Sequence, residues 1–466
     1  MKVKKQQKQE PGDILPPSDS TLAELNIDPA EIKSINPRSK RRQYRAVINW
    51  LTKCQFQPDA SNLEKVKGYV EAFYHLCEVE AWQKANEIIN TTLKTPTNEQ
   101  LRSQLNTWGY YREKISLHER LLGKLSPDGE NICLNGLGNA YYSLGDYPQA
   151  IKFYEQCLHF AQEVGDTGWK GTAFNGLGVV YHALGNYPQA IDWQQQHLAV
   201  AESMGDRKAQ ANALCNLGNI FDSIGKHSQA INYHQDSLNF AREISDRYQE
   251  GSAINGLANA YYSLADYSQA VEYYQQHLVI ADRISDRHGE ASAWNGLGNC
   301  YYALGNHKQA IDSYQQSLLI ARDIKDRRGE GRALGNLGLV EYALGNYRQA
   351  LDYHQKFLTI AQTIGDSAGT ANALGNLGAT LIALKLYPAA MESWQAALGI
   401  LQEIGASETE AYLLKNIARF YYGLGSLELA QKYCSQSLKI AKELGIPLVE
   451  ECQILQEELR LEGGEK

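Results

Sequence analysis

No stretch of the 466-residue sequence approaches the roughly 18 apolar residues that a membrane-spanning helix needs. Its first residues, MKVKKQQKQE, are charged, but PGDILPPSDS follows them in place of an apolar signal-peptide core. The eight cysteines form no CxxC pair and no close cluster, which excludes the usual zinc spacings and favours reduced thiols over a disulfide framework. Together these absences lead us to expect a cytoplasmic protein. A strong charge excess is missing as well. The formal net charge of −8 is too mild for bulk attraction to nucleic acid or to an anionic membrane, so neither is the expected partner. The charge is unevenly spread, with +4 on residues 1–60 and −12 on the rest, which puts any anion-seeking segment at the N-terminus.

Signatures of catalysis are also lacking. There is no GxGxxG, no GxxxxGK[ST] and no HExxH. His197 and His277 occupy a position held elsewhere by Cys157, Ser237 and Ser317, which marks them as packed structural residues. Scattered Ser, Asp and His residues have nothing that would fix a triad. No catalytic residue, metal ligand or cofactor is therefore assigned, and the chain is read as a non-enzyme.

What the sequence does have is a repeat. Written in rows of 40, LGNAYYSLGDYPQA (137–150) lies over LGVVYHALGNYPQA (177–190), LGNIFDSIGKHSQA (217–230), LANAYYSLADYSQA (257–270) and LGNCYYALGNHKQA (297–310), with three more rows in register. An Ala recurs at 150, 190, 230, 270, 310, 350, 390 and 430, and a Leu eight residues after each. Leu134, Leu137, Gly138 and Tyr141 share one helical face, and Ala150, Tyr154, Leu158 and Ala161 mark a second helix beyond the Gly145-Asp146 break. Gly138 and its equivalents are small because two helices approach closely there. Asp206 and Asp286 stand where they can cap following helices. Each unit is a helical hairpin, and the fold class is all-α, an α-α superhelix of stacked antiparallel helix pairs.

These Leu-Gly, Tyr, Ala and Tyr positions resemble the tetratricopeptide repeat (TPR), whose usual period is about 34 residues. The 40-residue period here is similar to that of bacterial multi-repeat TPR proteins and of the TPR region of G-protein signalling modulators. The expected organisation is a mobile tail over 1–36 and a basic amphipathic helical segment over 37–61. Two degenerate hairpins over 62–128 precede eight full units over 129–446, and a capping helix with a polar tail fills 447–466.

The resemblance implies that a second stripe on each first helix lines a concave groove. That stripe reads Asn135, Asn139 and Tyr142; Asn175 and His182; Asn219 and Asp222; Asn255, Asn259 and Tyr262; Asn295, Asn299 and Tyr302; Tyr342; and finally Lys415, Arg419 and Tyr422. A row of amides can hold an extended segment through its own backbone groups, and Tyr adds rigid amphipathic area. The expected function is a scaffold or adaptor that binds an extended or helical protein or peptide segment in this groove. The alternative is a regulatory, ligand-sensing module whose basic segment touches nucleic acid or membrane.

Overall fold

The computed structural model describes residues 14–54, 56 and 60–463, and among these every named element is a helix. The chain divides into two compact units, Met1–Cys133 and Leu134–Lys466, and the division falls inside the helix Pro127–Leu144.

In the first unit, part of the expected tail is folded. Ser18–Glu24 is helical, and Leu22, Leu25, Ile27 and Ile32 are buried. Thr21 Oγ1 lies 2.6 Å from Tyr69 Oη, and Ser18 Oγ donates to the Leu51 carbonyl at 2.9 Å. The prolines suggested a tail, but the apolar residues between them cover the helix Arg38–Lys53, so residues 14–36 pack; positions 1–13 lie outside the described residues. Helices Lys67–Cys77 and Trp82–Asn90, then Leu101–Thr107 and Tyr111–Leu121, follow. Lys114 stands where the full repeats carry Ala150. It is buried, donates to Asn106 Oδ1 at 3.3 Å, and burial pushes its ammonium down to about 8.

The second unit is built from hairpins such as Arg247–Ser263 with Tyr267–Ile284, and Arg287–Ala303 with His307–Asp323. Asp206 and Asp286 cap as expected, accepting from the backbone N–H of Ala209 and Gly289 at 3.0 and 2.9 Å. Gly165 ends its helix at φ +74, where an L side chain is strained. The last helix, Leu448–Gly463, buries Leu448, Cys452, Leu455 and Leu459 against the hairpin Ser407–Gly423 and Leu427–Leu444.

In most hairpins one side chain wedges between first helices. A Cβ on Gly138 would stand 2.5 Å from the Tyr154 ring, and a Cβ on Gly176 of the next unit would stand 2.5 Å from the same ring. His234 fits between Gly218 and Gly256 in the same way, while Tyr274 meets Gly296, Tyr314 meets Gly298, and Trp394 meets Gly378. The glycine of each Asn-Gly pair at 175–176, 255–256 and 295–296 is therefore a packing residue of an inter-repeat contact. Ala258 holds the position of Gly138 beside Tyr274 and is fully buried, so one methyl group can be absorbed there.

The superhelix of this unit closes on itself. Tyr187 Oη donates to Glu408 Oε2 at 2.5 Å, across 221 residues of sequence. Arg328 donates to the Ser143 carbonyl and to Asp366 Oδ2. A Cβ on Gly365 would lie 3.1 Å from Leu144 Cδ2, one on Gly405 3.1 Å from Leu184 Cδ2, and one on Gly225 3.1 Å from Pro447 Cγ. Loops between the two helices of the first three repeats thus dock on loops that follow the sixth, seventh and eighth. Leu144 and Leu184 are half-buried at this seam, whereas their equivalents Leu264, Leu304 and Leu344 in undocked loops are 44–47% exposed.

Two substitutions test these contacts. Gly298→Leu should cost about 3 kcal/mol in chemical denaturation by driving a branched side chain into Tyr314, while Gly298→Ala should cost under about 1 kcal/mol, as Ala258 indicates; equal costs would refute the wedge. Leu184→Asp should destabilise the chain by about 2 kcal/mol through loss of the seam, while Leu304→Asp stays within about 0.5 kcal/mol.

Candidate functional site

The first helices of neighbouring repeats touch one another directly. Asn216 Nδ2 donates to Asn175 Oδ1 at 2.7 Å, Asn336 Nδ2 to Asn295 Oδ1 at 2.8 Å, and Ser263 Oγ to Asp222 Oδ2 at 2.9 Å. These helices therefore form the inner wall of the superhelix, and the half-buried stripe of Asn and Tyr runs along it.

The wedge residues set the direction of the amides. Tyr154 Oη donates to Asn139 Oδ1 at 2.9 Å, Tyr274 Oη to Asn259 Oδ1 at 2.5 Å, and Tyr314 Oη to Asn299 Oδ1 at 2.7 Å. Burial raises the pKa of all three phenols, so each stays protonated and acts as the donor. The oxygen of each amide is thereby occupied from behind. The Nδ2 groups of Asn139, Asn259 and Asn299 have no bond to any described residue and remain as donors, as do those of Asn175 and Asn295, whose oxygens are taken by the next repeat. Asn135, Asn219 and Asn255 make no side-chain hydrogen bond among the described residues. At Asn139, Asn175, Asn259, Asn295 and Asn299 the wall therefore offers amide donors, while Asn135, Asn219 and Asn255 keep both donor and acceptor.

The aromatic members pack as tilted ring pairs on the start of their own second helices. Tyr262 lies 5.4 Å from Tyr267, Tyr302 5.9 Å from His307, and Tyr342 5.4 Å from Tyr347, centroid to centroid. His182 shares a 2.8 Å bond with Ser223 Oγ, and burial pushes its imidazole down to about 4, so it is neutral near pH 7. Asp222 is held by His227 Nδ1 at 2.6 Å. The basic end of the stripe is differently placed from expectation. Lys415 donates to Glu451 at 2.7 Å and Tyr422 to Glu462 at 2.9 Å, both on the chain's last helix. That helix takes the place of the next repeat and covers them, while Arg419 remains exposed.

A cavity of about 320 Å³ opens on the stripe between the third and fifth repeats, lined by Asn219, Asn255 and Asn259 and also by Tyr248, Ser252, His288 and Ser292. The last four were missed by the sequence reading. They were findable, because 248, 252, 255 and 259 follow the i, i+4, i+7, i+11 spacing of one helical face. Among the described residues no group of three or more His, Cys, Asp or Glu could hold a metal ion, and no helix is long and apolar enough to cross a membrane.

Fold and wall together define an α-solenoid of the kind used by protein-interaction scaffolds. The tetratricopeptide repeat profile matches residues 130–203, 170–243, 249–323 and 329–403, more than half of the chain, and the protein belongs to the tetratricopeptide repeat family. Its fold is similar to that of a Rap protein solved in complex with Competence and Sporulation Factor, at 14% identity and a TM-score of 0.52, over 83% of this chain and 99% of that one. Aspartyl phosphate phosphatase F from Bacillus subtilis aligns at 13% identity and a TM-score of 0.47, over 73% of this chain and 93% of that one. A Podosopora anserina putative kinesin light chain aligns at 15% identity and a TM-score of 0.35, over 42% of this chain and 96% of that one. No curated protein matches the sequence.

The wedge also carries an acid sensitivity. His234 and His354 occupy the Tyr154 position with neither ring nitrogen bonded, and burial lowers both to about 4; burial lowers His197 to about 4 as well. Neutral imidazole is favoured in the folded state, so this contribution is complete above pH 6.5 and is lost as pH falls from about 6.5 towards 4. The thermal midpoint should fall across that window. His234→Tyr, which can donate to Asn219 as Tyr154 does to Asn139, should raise stability by about 0.5–2 kcal/mol and flatten the fall; an unchanged pH profile would count against the assignment.

Proposed function

We propose that the protein is a non-catalytic scaffold whose inner wall binds an extended or helical segment of a partner protein. The observation that carries this reading is the set of Tyr-to-Asn bonds at 139, 259 and 299, which turn amide N–H groups towards the groove. Backbone carbonyls of a bound segment are the matching acceptors, present at every residue and independent of sequence. Tyr262, Tyr302 and Tyr342 then supply apolar area beside them at low entropic cost, and the stacked repeats hold the wall in place before binding. The Rap protein of similar fold, solved in complex with Competence and Sporulation Factor, gives a precedent for a bound factor on a superhelix of this kind. The exposed Arg38, Lys40, Arg42 and Arg45 support the alternative of a basic contact with nucleic acid or membrane, since Val47 and Leu51 of the same helix face inward.

Removing a whole amide is the wrong test, because Asn→Ala strands a buried phenol and should cost about 1–3 kcal/mol per site. Asn259→Asp with Asn299→Asp keeps the acceptor for Tyr274 and Tyr314 but replaces the outward donor with an anion. Peptides enriched on the full chain from a random display library should lose at least about tenfold in affinity for this double variant, with its unfolding midpoint near that of the parent. Unchanged affinity would show that the ladder is structural. Binding that is lost only on neutralising Arg38, Lys40, Arg42 and Arg45 would favour the alternative.

A further inference from the structure

We propose that a cavity at the seam of the superhelix is a binding site for a small organic carboxylate with an apolar body. The cavity has a volume of about 220 Å³, the share of about seven liquid waters. Tyr142 and Tyr147 come to it from the first repeat, Arg332, Phe357 and Ile364 from the sixth, and Asn372 from the seventh. The seam therefore creates it, and no single repeat contains it.

Its polar groups are unevenly satisfied. Arg328 spends its guanidinium on Asp366 and the Ser143 carbonyl, and Arg327 is paired with Glu330. Asp366 is spent as well, since its other oxygen accepts the Gly369 N–H at 2.9 Å. By contrast, the side chain of Asn372 and the hydroxyls of Tyr142 and Tyr147 make no hydrogen bond with any described residue, and Arg332 makes no hydrogen bond or ion pair within 4 Å, its charge acting on Asp326 from farther off. Four donor-bearing side chains line one cavity, and among its described lining residues the one carboxylate, Asp366, is already engaged. Such a set calls for an acceptor-rich, negatively charged group.

The remaining wall is apolar: Phe357, Ile360 and Ile364 face the same space. The ligand must then carry hydrocarbon beside its anion. The Arg332 guanidinium, with no bonded partner, matches a planar, singly charged carboxylate in a two-bonded arrangement, with the tyrosine hydroxyls donating to its remaining lone pairs. A phosphate dianion would bring a second charge that no further cation is free to balance, next to Asp366. This site differs from the amide ladder in ligand; the first repeat contributes to both, Asn139 to the ladder and Tyr142 to the cavity, and the site does not rest on the scaffold reading.

The test is calorimetric titration of the full chain with a panel of short aliphatic and aromatic monocarboxylates, their neutral amides, and inorganic phosphate. At least one acid should bind with 1:1 stoichiometry, and its amide at least about tenfold more weakly. Arg332 is exposed, so Arg332→Gln should fold normally by circular dichroism and weaken that acid at least about tenfold; Tyr142→Phe should weaken it severalfold. The proposal is overturned if no acid in the panel binds more tightly than about 10 mM, if Arg332→Gln leaves the affinity unchanged, or if phosphate binds as tightly and competes.

Discussion

The insertion of one side chain between glycines of successive first helices is the contact on which the rest of this structure depends. Tyr154, His234 and Tyr274 each fill a slot that exists only because Gly138 and Gly176, Gly218 and Gly256, and Gly296 have no side chain to fill it first. A hairpin of this length cannot bury its apolar face alone. It stacks on the next hairpin, and the distance between them is set by the thickness of the wedged group. Gln194 and Trp394 at the same position, and Cys434 in the eighth hairpin, show that the position does not require a particular chemistry.

Chemistry enters at the tip of the wedge. Where it is Tyr, the hydroxyl emerges on the inner wall and finds an Asn oxygen; where it is Trp394, the indole N–H reaches the Gly375 carbonyl at 2.9 Å; and where it is His234 or His354, both ring nitrogens stay unbonded. The polarity of the wall thus follows from a residue in its core. An Asn whose oxygen is taken from behind presents its nitrogen in front, and this links packing between repeats to the recognition proposed for the groove.

The 40-residue period, the two helices per unit, the capping aspartates and the small position at 138 were all legible in the sequence, because each reflects contacts within a unit or between adjacent units and recurs with the repeat. The stripe of groove residues was legible as a face, and Ser252 and Ser292 could have been added to it by the same periodicity. The burial of residues 14–36 was hidden by prolines, which dominate a local reading although the leucines and isoleucines between them decide the packing. The covering of Lys415 and Tyr422 escaped because the last helix lacks the repeat motif yet takes a repeat's place.

What the sequence by itself determined was the unit and its stacking order, since hydrophobic period, glycine and caps act over distances of a few residues or one repeat. Only the tertiary structure decided where the superhelix meets itself. Leu184 and Leu304 sit in near-identical stretches, LGNYPQA and LGNHKQA, yet one packs beside Gly405 and the other is open to solvent. The difference comes from the small rotation between successive repeats, which no single repeat encodes. It accumulates until residues 221 apart are neighbours.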